Sequence, residues 1–161
     1  MDRSEAFRRA TELWQEAYRH QTAGELDRAI ELYQDSIRVC PTAEAHTYLG
    51  WTYSFQGHLE EAEAECHKAI AIDPEFGNPY NDIGVYLMQR GRLDEAIPWL
   101  QRAKRAKRYE PRQFPYVNLG QIYMRQGHWQ EAMREFEAAI RIAPDDASAR
   151  KALHNLRGRL N

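Results

Sequence analysis

Four glycines, Gly24, Gly57, Gly91 and Gly127, fall at spacings of 33, 34 and 36 residues, and the chain around each repeats in register. Five residues beyond each glycine stands an alanine: Ala29, Ala62, Ala96 or Ala132. Four further on come Tyr33, Cys66, Leu100 and Phe136, and three after those Ser36, Ala69, Ala103 and Ala139. Seven residues before each glycine is another small residue: Ala17, Gly50, Gly84 or Gly120. Small and large positions held in phase over this period mark a repeat array, in which stacked units bury one continuous core that no single unit can bury alone.

The apolar spacing is helical on both sides of each glycine. In the last unit Tyr116, Leu119, Gly120 and Tyr123 recur at helical intervals, Gly127 interrupts, and Ala132, Phe136, Ala139 and Ile140 resume on one face. A chain leaving a helix often turns through a positive φ, which glycine reaches without steric cost. Pro41, Pro74 and Pro144 stop second helices, while Pro79 and Pro115 stand where a next helix would begin. Helices joined by so short a turn pack antiparallel. Gly50, Gly84, Gly120 and their alanine partners are therefore expected where the axes come closest.

The unit resembles the tetratricopeptide repeat (TPR), an aromatic residue followed by Leu-Gly, Tyr, an Ala and Phe four apart, and Pro. The last unit matches it best, with Tyr116, Leu119, Gly120, Tyr123, Ala132, Phe136 and Pro144. The second has Leu49, Gly50, Tyr53, Ala62 and Pro74, with Cys66 in the aromatic place; the third has Tyr80, Gly84, Ala96 and Ala103; the first is loosest, with Ala17, Ala29, Tyr33 and Pro41. The resemblance covers about residues 10–144. It implies an all-α, right-handed superhelical solenoid of four TPR helix-turn-helix repeats plus a C-terminal capping helix, in a single domain. The repeats would lie at about 10–42, 43–76, 77–112 and 113–145, and the capping helix at about 146–160.

Both ends suit a capped stack. Residues 2–9 should extend the first helix, and Asp145-Asp146 can cap the last. Ala149, Ala152, Leu153, Leu156 and Leu160 recur at helical spacing and would cover the apolar end. Met1 and this closing helix together favour a whole chain. The third unit departs from the pattern. Lys104 replaces the isoleucine of the other units (Ile37, Ile70, Ile140), the stop at Pro111 comes late, and the second helix is expected from Leu93 to about Tyr109 with a kink at Pro98.

Composition removes several function classes. A formal charge of −2 over 161 residues argues against general nucleic-acid binding. No stretch approaches the ~20 apolar residues of a membrane span. The N-terminus, Met1-Asp2-Arg3-Ser4-Glu5, lacks the apolar core of a signal peptide, so a cytoplasmic location is expected. Cys40 and Cys66 are too few for a disulfide framework and read as buried or half-buried thiols. No metal site or cofactor is expected. The chain has no HExxH, phosphate loop or nucleophile elbow, so it is not expected to be an enzyme.

The resemblance places a partner-binding groove on the first helices. The groove residues are Trp14 and Tyr18 in the first repeat, Thr47, Trp51 and Phe55 in the second, Asn81, Val85 and Met88 in the third, and Val117 and Gln121 in the fourth. Trp14 and Tyr18 suit packing between repeats equally well. Some relatives grip a C-terminal carboxylate with Lys, Asn and Arg; here the matching places hold Trp14, Tyr18, Trp51, Asn81 and Val85, so the cationic clamp is absent. The implied function is a protein–protein interaction module, an adaptor binding a helical or extended peptide through apolar anchors.

Charge supplies the alternative. Residues 1–75 carry 7 Lys and Arg against 15 Asp and Glu, a net −8, and residues 76–161 carry 15 against 9, a net +6. The basic run Arg102, Lys104, Arg105, Lys107, Arg108 and the acidic Glu60, Glu61, Glu63 are candidate docking patches. A self-associating scaffold, a homo-oligomer joined through these halves, is the second reading. Cations near a helix C-terminus are also simply favourable there.

Overall fold

The computed structural model describes residues 1–161 as nine α-helices: α1 (Arg3–Thr22), α2 (Leu26–Val39), α3 (Ala43–Phe55), α4 (Leu59–Ile72), α5 (Asn78–Gln89), α6 (Leu93–Arg105), α7 (Phe114–Arg125), α8 (Trp129–Ile142) and α9 (Ala147–Leu160). The first eight pack as four hairpins, each hairpin stacks on the next, and α9 lies against α8. First helices also touch one another, α1 with α3, α3 with α5 and α5 with α7, whereas second helices do not form a matching row. The first helices therefore form the inner, concave side of the right-handed solenoid.

One turn, used four times, sets this geometry. Each repeat glycine sits at φ between 75° and 81°. The residue after it donates its N–H to a carbonyl five residues back: Glu25 to His20, His58 to Tyr53, Arg92 to Leu87 and His128 to Tyr123. This closes the carbonyls that a helix end leaves open. A side chain at those glycines meets nothing within 4 Å, so it is the backbone conformation, and not space, that selects glycine.

Gly50, Gly84 and Gly120 are selected by space. A Cβ on Gly50 would lie 2.7 Å from the Ala62 carbonyl oxygen, on Gly84 2.6 Å from Leu100, and on Gly120 2.5 Å from Phe136. These are the expected close approaches within hairpins. The core runs through the stack as linked clusters: Leu13, Leu32, Tyr33 and Leu49 at the start, Ile83, Leu87, Leu100 and Leu119 in the middle, and Phe136, Leu153 and Leu156 at the end.

Asp2 and Glu5 form a reciprocal capping box that starts α1, and Asp146 caps α9 by accepting the Ala149 N–H at 2.9 Å. Pro79 and Pro115 occupy the second positions of α5 and α7, where no intrahelical N–H bond is lost. α6 is helical on both sides of Pro98, its sixth residue, whose missing N–H leaves the Asp94 carbonyl without its usual intrahelical donor. Two sequence expectations change. Leu160 is 48% exposed and lies outside the buried cover, which Ala149, Ala152, Leu153 and Leu156 provide. And α6 ends at Arg105, not near Tyr109. There the chain becomes extended: the Arg108 N–H donates to the Glu75 carbonyl at 3.0 Å, and the Gly77 N–H donates to the Arg108 carbonyl at 2.8 Å.

Candidate partner-binding groove

The first helices and the segment after α6 enclose a concave groove of about 610 Å³. Tyr18 comes from α1, Tyr48, Trp51, Ser54 and Phe55 from α3, Asn78, Asn81, Asp82, Val85, Tyr86 and Gln89 from α5, and Phe114, Val117, Asn118 and Gln121 from α7. Asp146 and Ser148 close one end. Trp51 and Phe55, four apart on one helix face, form a tilted pair with ring centroids 5.1 Å apart while remaining 36% and 56% exposed. Tyr18 leans on Tyr48 at 5.4 Å.

The remaining wall is built by the divergence in the third repeat. Its extended segment contributes Tyr109, Glu110 and Pro111. Tyr109 is buried on Gly77, where a Cβ would fall 2.3 Å from the tyrosine ring, so only glycine admits this packing. The Asn78 amide donates to the Glu110 carbonyl at 3.3 Å. Arg108 clamps the segment's base: it pairs with Glu44 at 2.9 Å and Asp73 at 2.7 Å and lies 4.2 Å over the Phe76 ring. The late stop at Pro111 and the long spacing of 36 residues were the sequence signals for this wall.

Seven of the residues expected from sequence line the groove: Tyr18, Trp51, Phe55, Asn81, Val85, Val117 and Gln121. Trp14 does not; it packs on Tyr48 at 5.6 Å and faces an adjoining cleft with Glu44, Phe76 and Arg108. Thr47 is 1% exposed and donates its hydroxyl to the Ala43 carbonyl, and Met88 is buried among Ile83, Leu87 and Leu119, so neither presents a surface. Sequence reasoning missed Tyr48, Asp82, Tyr86 and Tyr109. Asn81 is buried and accepts a 2.9 Å hydrogen bond from Asn118, which links α5 to α7 beneath the groove. Burial raises the Asp82 carboxyl to about 7, against a lowering hydrogen bond from Asn81.

The charged runs are engaged mostly within the chain. Lys104 pairs with Glu135 at 2.7 Å and lies 4.3 Å over Tyr116. Arg102 lies 4.7 Å over both Tyr80 and Trp99. Lys107 approaches Glu75 at 3.8 Å, while Arg105 is exposed and forms no ion pair. Arg90 holds Glu63 at 2.9 Å and Glu60 at 3.8 Å; Glu61 points to solvent. Glu65, next to these acids in sequence, is buried. His46 meets it at 2.6 Å and Lys68 at 2.8 Å, and these bonds outweigh the upward push of burial and lower its carboxyl.

Comparison with known proteins agrees with this architecture. Tetratricopeptide-repeat family models match residues 43–76, 78–111 and 114–146. The chain is 34% identical over 91 residues to Protein POLLENLESS 3-LIKE 2 of Arabidopsis thaliana, covering 49% of this chain and 21% of that protein. It is 25% identical over 120 residues to the type IV pilus assembly protein PilF of Pseudomonas aeruginosa, covering 74% and 48%. The chain thus spans half or less of these curated relatives. The solved structure of Pseudomonas aeruginosa PilF superimposes with a TM-score of 0.88 at 23% identity, covering 98% of this chain and 70% of that one. YrrB, described as a TPR protein with an unusual peptide-binding site, superimposes at 0.66 and 23% identity, covering 91% and 75%. Likeness at these identities to solved structures establishes fold, and the repeat models establish kinship. The chain belongs to the tetratricopeptide-repeat family, whose members are protein–protein interaction modules.

Proposed function

We propose that this chain is a non-catalytic adaptor that holds a helical or extended peptide of a partner protein in its concave groove, through aromatic and apolar anchors and without a carboxylate clamp. The single observation that carries this reading is the Trp51–Phe55 pair, two large rings left in contact with water on the floor of a concavity. Such rings dominate binding because they bury much area for little rotamer entropy. The fold also spends its irregular segment on walling this groove. Self-association through the charge halves has less support, since most of those charges are paired inside the chain. No helix is long and apolar enough to cross a membrane. A cytoplasmic setting and the whole length of 161 residues as one domain are parts of the same proposal.

The test is selection from a random 12-residue peptide display library on the intact chain, with Trp51→Ala as the counter-target. Peptides that lose roughly 30-fold in affinity on Trp51→Ala support the groove, that being the scale of a central aromatic hot spot. Peptides indifferent to Trp51→Ala and Phe55→Ala would refute it.

A further inference from the structure

Three carboxylates, Asp82, Glu110 and Asp146, line the groove, and no Lys, Arg or His does. Asp146 is committed to capping α9. Asp82 has no cation in ion-pairing range. It stands in a row on α5 with Asn78 and Tyr86, four residues to either side and on one helix face. Both neighbours carry an unpaired buried polar atom, the Asn78 Oδ1 and the Tyr86 hydroxyl, and Tyr86 is only 2% exposed. A buried polar atom without a partner costs free energy that an incoming donor would recover. The Arg108 guanidinium, in the adjoining cleft, is held by Glu44 and Asp73 and does not serve this row.

We propose that the groove's occupant is a basic segment of a separate protein, which sets one Lys or Arg against Asp82 and the Tyr86 hydroxyl with apolar residues on Trp51 and Phe55 beside it. The inference rests on the groove reading above and specifies its partner. A carboxylate in a low-dielectric concavity focuses negative potential, and ring faces around it add attraction for a cation. A guanidinium or ammonium presents only donors, which suits the carboxylate and the unpaired oxygens of this row. The sign is opposite to that of a carboxylate clamp. A second copy of this chain is a weaker candidate, because the Lys104 and Arg108 of its basic run are already held by Glu135, Glu44 and Asp73, which leaves Arg105 and the loosely paired Lys107 free in that run.

The same peptide library decides this, sorted on the wild type and re-measured on Asp82→Asn and Trp51→Ala, with circular dichroism confirming that each variant folds. The expected result is that groove-binding peptides share a Lys or Arg flanked by apolar residues and lose about tenfold or more on Asp82→Asn, the scale of a charge-assisted hydrogen bond. Peptides that depend on Trp51 but carry no basic residue and ignore Asp82→Asn would overturn the cation and leave the groove standing. Peptides indifferent to Trp51 would overturn both. A concentration-dependent dimer in light scattering, lost on Asp82→Asn, would replace the separate partner with a second copy and overturn the assignment.

Discussion

Glu65 on α4 and Asp82 on α5 are near neighbours in sequence, and the fold treats them oppositely. Glu65 lies between hairpin helices with His46 and Lys68 on its oxygens, and its carboxyl is held below 4.5. Asp82 faces the groove without a cation, and its carboxyl is raised to about 7. The first charge is cohesive: the packed hairpin supplies its partners, so ionisation stabilises the native state. The second is strained, because the groove removes water and supplies no counter-charge. The difference separates a charge that holds the solenoid together from one that the packed helices leave without a counter-charge.

The largest effect should come from removing the cohesive member. Glu65→Ala strands His46 against a buried face and should cost on the order of 3 kcal/mol in urea unfolding. Because the native carboxyl lies below its unfolded value of 4.5, the wild-type contribution is present above that pH and fades as pH falls through the native value.

Asp82→Asn should do the reverse and stabilise the chain, by on the order of 1–3 kcal/mol at pH 8. Between 3.8 and about 7 the native state keeps a proton that the unfolded chain gives up. Wild-type stability is therefore fullest below that window and lost as pH rises through it. Urea midpoints of the two proteins should converge toward pH 4; a constant gap would show that Asp82 does not titrate as the groove geometry demands.

A smaller effect tests the pairing of the outer charges. Lys104→Ala leaves Glu135 unpartnered in a mostly buried place and should cost about 1–2 kcal/mol. The smallest tests the exposed remainder: Glu61→Lys, at a solvent-facing position without a partner, should shift stability by less than about 0.5 kcal/mol. If the two were equal, the distinction between paired and solvated charge would collapse.

Much of the fold was legible in the repeat. Gly24, Gly57, Gly91 and Gly127 announced the turns because a positive φ is a local demand, written at one position. Gly50, Gly84 and Gly120 announced the helix crossings because the lack of a side chain is itself the contact. Trp51 and Phe55 were readable as groove residues, since a family register transfers along a regular helix. Thr47 and Met88 were misleading for the same reason: a register gives the approximate direction of a side chain, while the depth of its neighbours decides whether it reaches the surface.

The amino-acid sequence by itself determined the helices, their turns, their pairing and the capped ends, because each follows from backbone preference and apolar spacing within about one repeat. Only the tertiary structure decided what the groove contains. The wall of Tyr109, Glu110 and Pro111 depends on pairing with Glu75 and Gly77, more than thirty residues away. The character of Asp82 depends on which rings and cations surround it in space. Neither is encoded by local spacing, since burial and electrostatic environment are properties of the assembled stack.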